Sequence, residues 1–144
     1  MVAVGDVARF PNPRYDDVPR RVEHWSIPTD TAKRAARTLL GEDGGPFLPL
    51  PSFWSDQYDL RLQSFGAPAL GGDVRVLEGD LETEAVVGYH RDGRLVGVVM
   101  LGMARRMAHY RGRLLDDAPA LTRPARGPPG RPSPPGRPRP GCRR

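Results

Sequence analysis

The stretch Ala85 to Leu101, AVVGYHRDGRLVGVVML, decides the class of fold. Two β-prone apolar runs, 85–90 and 94–101, flank Arg91-Asp92-Gly93, and Asp-Gly between such runs is a strong hairpin signal. Upstream of it the period is also 2. Ser52–Tyr58 and Leu60–Phe65 read as strands, the second setting Leu60 and Leu62 against Arg61 and Gln63, and Val74–Glu78 reads as a third. Downstream, Ala104–Leu115 reads as a closing helix with Met103, Met107, Tyr110 and Leu114 on one face. The expectation is therefore an α+β unit: a small antiparallel sheet with a helix against it.

Before this unit the signals change. Val2-Ala3-Val4 is apolar and β-prone and stops at Gly5-Asp6, like the last residues of a buried strand. Residues 9–17 contain Pro11 and Pro13, which forbid a helix and read as a loop. Val18–Trp25 reads as a short extended piece. Ser26-Ile27-Pro28-Thr29 has the form of a helix start, with a hydroxyl N-cap and a first-turn proline, and Asp30 suits the dipole. Ala32, Ala35, Ala36, Leu39 and Leu40 fall at helical spacing and Gly41 supplies the stop, which predicts a helix over 27–40. Residues 44–51 form a proline-punctuated linker.

Composition excludes several classes. Gly 17 and Pro 17 make nearly a quarter of the 144 residues, so one continuous core over the whole length is not expected. All 17 acidic residues lie within 1–117, whereas 118–144 holds seven Arg, nine Pro and four Gly. The net charge of +5 thus belongs to the tail and does not mark the folded part as a nucleic-acid binder. Such a tail buries too little apolar surface to offset its ordering entropy and is expected to be disordered. A solvated segment, a site for an acidic partner and an out-of-frame product all remain open for it. The longest apolar run, Leu95 to Ala104, is about half the roughly 20 residues of a membrane span, and no secretory signal opens the chain. The single Cys142 excludes an internal disulfide and a Cys-ligated cluster. His24, His90 and His109 have no metal spacing. No Ser-His-Asp set, acid–base pair or phosphate loop stands out, so no catalytic residue is assigned, and His90 and His109 read as surface residues. The expected compartment is the reducing cytoplasm.

Three segments have the residue types of a cofactor site. Gly5-Asp6 after a strand places a carboxylate where ligands of open α/β sheets bind, beside a glycine that permits close approach. Arg21-Val22-Glu23-His24-Trp25 leads into a helix N-terminus, with its free N–H groups and partial positive charge. Phe53-Trp54-Ser55-Asp56-Gln57-Tyr58 offers a large π-face for a ring. Taken singly, each also has a plainer use as a turn, a helix entry or core packing.

In this order and spacing the three resemble the C-terminal part of the FAD-dependent NAD(P)H:ferredoxin (or rubredoxin) reductases of oxygenase and P450 systems. The match runs through a GD-x-A motif at Gly5–Ala8, an Arg-x-Glu-x-Trp helix entry at Arg21–Trp25, and the stretch Pro51–Tyr58 with Gln63 following; it covers about residues 2–115. The resemblance implies that Gly5 and Asp6 meet the flavin ribityl chain and that His24 and Trp25 meet the isoalloxazine end through their backbone. Trp54 then stands beside the flavin where an iron–sulfur partner docks. It also implies the closing end of an FAD-binding α/β domain at 1–46 and a reductase C-terminal α+β domain at 47–117; the tail at 118–144 is not a feature of the family. Ile27-Pro28 departs from the Asn-Ala common in the family, and no G-x-G-x-x-G turn for FAD or NAD(P)H is present. The expectation is a truncated reductase, an oxidoreductase by resemblance, which does not hold FAD tightly or oxidise NAD(P)H alone. A ferredoxin-like iron–sulfur protein is the implied partner, with a homodimer or an upstream reductase polypeptide as further ones; neither membrane nor nucleic acid is expected. The competing reading is an independent interaction or dimerisation module without catalysis.

Overall fold

The computed structural model describes residues 1–42 and 44–117; the expectations for 118–144 lie outside the described residues. The chain opens with a 3-10 turn at Gly5–Val7, then β1 (Arg9–Asn12), β2 (Asp16–Arg21) and α1 (Ser26–Leu39). β3 (Ser52–Gln57), β4 (Leu60–Gly66), β5 (Asp73–Gly79), β6 (Ala85–Arg91), β7 (Arg94–Leu101) and α2 (Met107–Asp116) follow. The five later strands form one antiparallel sheet in the order β3-β4-β7-β6-β5.

The sheet and its closing helix follow the sequence pattern. Arg91 pairs with Arg94 across Asp92 (φ 53) and Gly93 (φ 77), two left-handed residues whose twist matches the strands they join. Phe65, Val98 and Met100 share a face with Val86 and pack against Met103, Tyr110 and Leu114, forming the core. Met107, expected on that apolar face, is instead 39% exposed. The turn entering α2 starts at Ala104, and the α-helix proper begins three residues later. Gly97 in the middle of β7 has a structural reason: a Cβ there would lie 2.5 Å from the Pro68 backbone nitrogen. Its absence lets the Pro68–Leu70 turn press onto the sheet.

The N-terminal part corrects three expectations. Residues 9–17 are not a loop but most of an antiparallel hairpin, with Phe10 opposite Arg20 and Asn12 opposite Asp16. Proline excludes a helix there but not a two-stranded ribbon, both of whose strands have a free edge where a missing N–H goes unnoticed. Val2–Val4 is not a buried strand: it has no ladder partner among the described residues, and Val2 and Val4 are exposed. Ser26 is not the N-cap of α1. Trp25 holds that position without a side-chain cap, and Ser26 lies inside the first turn with its Oγ buried and unpartnered.

The end of α1 is as expected. Gly41 adopts φ 74, its N–H bonds the Thr38 carbonyl and the Glu42 N–H bonds the Arg37 carbonyl, which satisfies the last helical carbonyls. Of the apolar residues at helical spacing only Ala35 is buried, beside Ile27 and Thr31; Leu39 and Leu40 are exposed. The hairpin is tied to the later unit at three points. Asn12 Nδ2 donates to the Pro49 carbonyl at 2.9 Å. The buried Arg14 donates to the Leu114 carbonyl at the end of α2, where a cation opposes the helix dipole favourably. Asp16 accepts from Arg20 and from Arg91 of β6.

Candidate functional site

The residues singled out in the sequence gather around the start of α1 and the edge strand β3. Gly5 (φ 76) turns the chain so that its N–H donates to Thr31 Oγ1 at 3.0 Å, and Thr31 in turn donates to the Ile27 carbonyl. That hydroxyl fixes the Gly-Asp turn against α1 and leaves the Asp6 carboxylate exposed. Pro28 Cβ, 4.0 Å away, is the nearest neighbour a Cβ on Gly5 would meet, so the turn stays open.

Trp25 and Trp54 meet edge to face, with ring centroids 6.3 Å apart and planes at 72°. Both remain largely in solvent, at 79% and 49% exposure. Two indoles in contact yet uncovered make an apolar wall, where core packing would have buried them. Tyr58 takes φ 53 at the tip of the β3–β4 hairpin and is wholly exposed. A bulky residue in the left-handed region costs on the order of 1–2 kcal/mol.

His24 takes a different direction from its neighbour. Its ring lies 5.1 Å from Phe53, edge on. Phe53 and Trp54 are successive strand residues and point to opposite faces, so His24 and Trp25 together clasp the edge of β3. Burial pushes the His24 imidazole below its ordinary pKa, and its Nδ1 has no protein partner. The α1 N-terminus is poorer in donors than a helix start usually is: Pro28 has no N–H and the Ile27 N–H bonds the His24 carbonyl. Ser26 N–H is left among the first three helical positions.

On the His24 side the hairpin and the sheet border an open pocket of about 460 Å³. Tyr15, Ser64 and Val99 line it together with His24 and Phe53. Burial, opposed by the Arg14 charge, pushes the Tyr15 hydroxyl up to about 12. The Arg20 hydrogen bond, helped by Arg91 and opposed by desolvation, holds the Asp16 carboxyl well below the usual carboxylate range.

Sequence reasoning missed Thr31, Tyr15 and Ser64. Ser64 was visible as a polar residue on the Leu60–Leu62 side of a period-2 strand; Tyr15 was masked by the loop reading of 9–17. His90, expected at the surface, is half-buried with Nδ1 unpartnered. The arginines around the start of α2 are partly engaged: Arg105 bonds Glu84 at 2.7 Å, and Arg106 with Tyr110 holds Glu78. Among the described residues no helix is long and apolar enough to cross a membrane.

The family model "Reductase C-terminal" matches residues 52–126. A ferredoxin--NAD(P)(+) reductase of Sphingomonas sp is 35% identical over 134 residues, covering 92% of this chain and 31% of that protein. A probable ferredoxin reductase of Castellaniella defragrans is 39% identical over 101 residues, covering 68% and 24%. Among solved structures, the covalent putidaredoxin reductase–putidaredoxin complex matches with a TM-score of 0.72 at 28% identity, over 80% of this chain and 27% of that one. The ferredoxin reductase for the CYP199A2 system from Rhodopseudomonas palustris matches with a TM-score of 0.67 at 33% identity, over 81% and 28%. The chain thus spans between about a quarter and a third of the length of these relatives. The chain belongs to the reductase C-terminal family, as a C-terminal part of the FAD-dependent ferredoxin reductases.

Proposed function

We propose that this chain forms the flavin-facing wall and the partner-facing edge of a ferredoxin reductase, a role in electron transfer from NAD(P)H through FAD to an iron–sulfur protein. The observation that carries the reading is the Trp25–Trp54 pair, in mutual contact and still open to solvent. Residues 1–46 then serve as the closing end of the FAD-binding domain and 47–117 as the reductase C-terminal domain, in the reducing cytoplasm.

The residues present fit one end of FAD. The open left-handed turn at Gly5 and the exposed Asp6 carboxylate suit a ribityl chain, whose hydroxyls would donate to Asp6. Trp25 and Trp54 suit the ring, through contact area and water exclusion. The partial positive charge of the α1 N-terminus and the Ser26 N–H favour negative charge at the ring edge. His24 contributes through its backbone, its side chain being turned to Phe53. When bound, FAD supplies the hydride and electron chemistry; the protein supplies binding, orientation and electrostatics. Trp54 and the exposed Tyr58 offer the iron–sulfur partner an aromatic edge.

No G-x-G-x-x-G turn occurs in the 144 residues, so the pyrophosphate cradle and the nicotinamide site are supplied by other polypeptide. The chain alone is therefore inactive. Purified chain mixed with FAD, NADH and ferredoxin or a dye should show no turnover; robust reduction would refute this reading.

A second reading, a self-standing interaction module, is favoured by one observation: the core cluster is drawn wholly from residues within 47–117. A change in oligomeric state without any flavin response would support it over the first.

A further inference from the structure

The five-stranded sheet has two outer strands, and the fold treats them differently. The edge of β3 is covered, since His24 and Trp25 clasp it. The outer edge of β5 has no ladder partner among the described residues. Exposed edges are normally blunted by Lys, Pro, a bulge or a covering segment. β5 carries neither Lys nor Pro, and its bulge falls between Val76 and Glu78. Asp73–Val76 is therefore left in direct register with β6 on one side and open on the other. Val76 continues the cross-strand row of Val87 and Val99, on the face away from α2, and Val74 shares that face. The two valines are 47% and 54% exposed. Asp73 and Arg75 lie on the other face, where Arg75 Nε donates to Asp73 Oδ1 at 3.1 Å and both side chains remain exposed.

We propose that β5 pairs antiparallel with β5 of a second copy of this chain, about a two-fold axis at Val74. The charges select both the occupant and the register. Pairing centred on Val74 sets Asp73 opposite Arg75 of the second copy and Arg75 opposite its Asp73, so one interface holds two matched charge pairs. Centring on Asp73 or on Arg75 instead sets like charges against each other, which is unfavourable. The same register places Val74 against Val74 and Val76 against Gly72, whose side-chain position is open space. Four exposed valines are thereby covered on the face away from α2. The bulge after Val76 ends the ladder, and the clasped β3 keeps the sheet from extending at its other side, so the assembly closes at two copies. The interface contains neither Trp25 nor Trp54, and the proposal does not depend on flavin binding.

The test is sedimentation velocity of the full chain over a wide concentration range, with the weight-average mass expected to rise toward twice that of one chain. Asp73→Arg leaves two cations at the paired positions and Arg75→Asp leaves two anions. Each variant alone should self-associate about tenfold more weakly than the wild type. An equimolar mixture of the two should regain the dimer, because every pair across the interface is again of unlike charge, and that recovery also shows both variants to be folded. In the wild-type chain, amide exchange at residues 73–76 should slow as concentration rises, a reading that needs no variant. A monomer at every concentration, or exchange that slows only elsewhere, would overturn the proposal. A dimer that survives in both variants, or a mixture that fails to pair, would overturn it as well.

Discussion

Thr31 Oγ1 stands at the centre of a short relay: it accepts the Gly5 N–H at 3.0 Å and donates to the Ile27 carbonyl at 2.7 Å. One buried hydroxyl thus fastens the Gly-Asp turn, 26 residues away in sequence, to the first turns of α1. The positions of Asp6 and Trp25 relative to each other depend on it. Thr31→Val keeps the shape and removes both bonds. It should destabilise the fold by about 1–2 kcal/mol in denaturant unfolding and speed amide exchange at Gly5, whereas Thr31→Ser should restore most of the loss.

Asp16 bridges Arg20 on its own hairpin and Arg91 on β6. Its carboxyl is held below its ordinary pKa, so its contribution to stability is complete above the unfolded value of about 3.9 and is lost as pH falls further. Stability should therefore drop on acidification below about pH 4. Asp16→Asn should lower stability at pH 7 and flatten that acid limb. Glu78 and Glu84, also held low by Arg106 and Arg105, should leave part of the slope in place.

Tyr15 gives the opposite dependence. Burial raises its hydroxyl to about 12 in the fold, against about 10 unfolded. Its contribution is full below pH 10 and is lost between pH 10 and 12, by up to roughly 2–3 kcal/mol. An ultraviolet titration should show Tyr15 and Tyr110 ionising later than an ordinary tyrosine, Tyr110 being raised by burial and by its hydrogen bond to Glu78, and Tyr15→Phe should remove one of these late steps and part of the alkaline loss of stability.

The strands of the sheet were legible because their signals are local. Asp92-Gly93 demands two left-handed residues in succession; the Leu60/Leu62 alternation marked β4 as a strand but not its core face, which carries Phe65, and burial rises along β4 from exposed Leu60 to buried Ser64–Gly66. The β1–β2 hairpin was not, because Pro11, Pro13 and Pro19 hide a ribbon that tolerates missing donors. The helix start was misplaced because Ser26 has the chemistry of a cap and the position of a first-turn residue. Of the site, the contact of the Trp25 and Trp54 rings joins a helix entry to an edge strand and has no local signal in the sequence. The pocket residues could not be read: Tyr15 and Ser64 are 49 positions apart and carry no pattern until the hairpin folds onto the sheet.

The claim that Trp25 and Trp54 face a flavin ring is tested most directly through their own emission, since the chain has two tryptophans. Riboflavin and FAD should each quench it saturably and with equal affinity, because the ring end is present and the pyrophosphate cradle is not. Trp25→Phe and Trp54→Phe should each remove part of the quenching. No quenching by either flavin, or quenching that survives in both variants, would contradict the account.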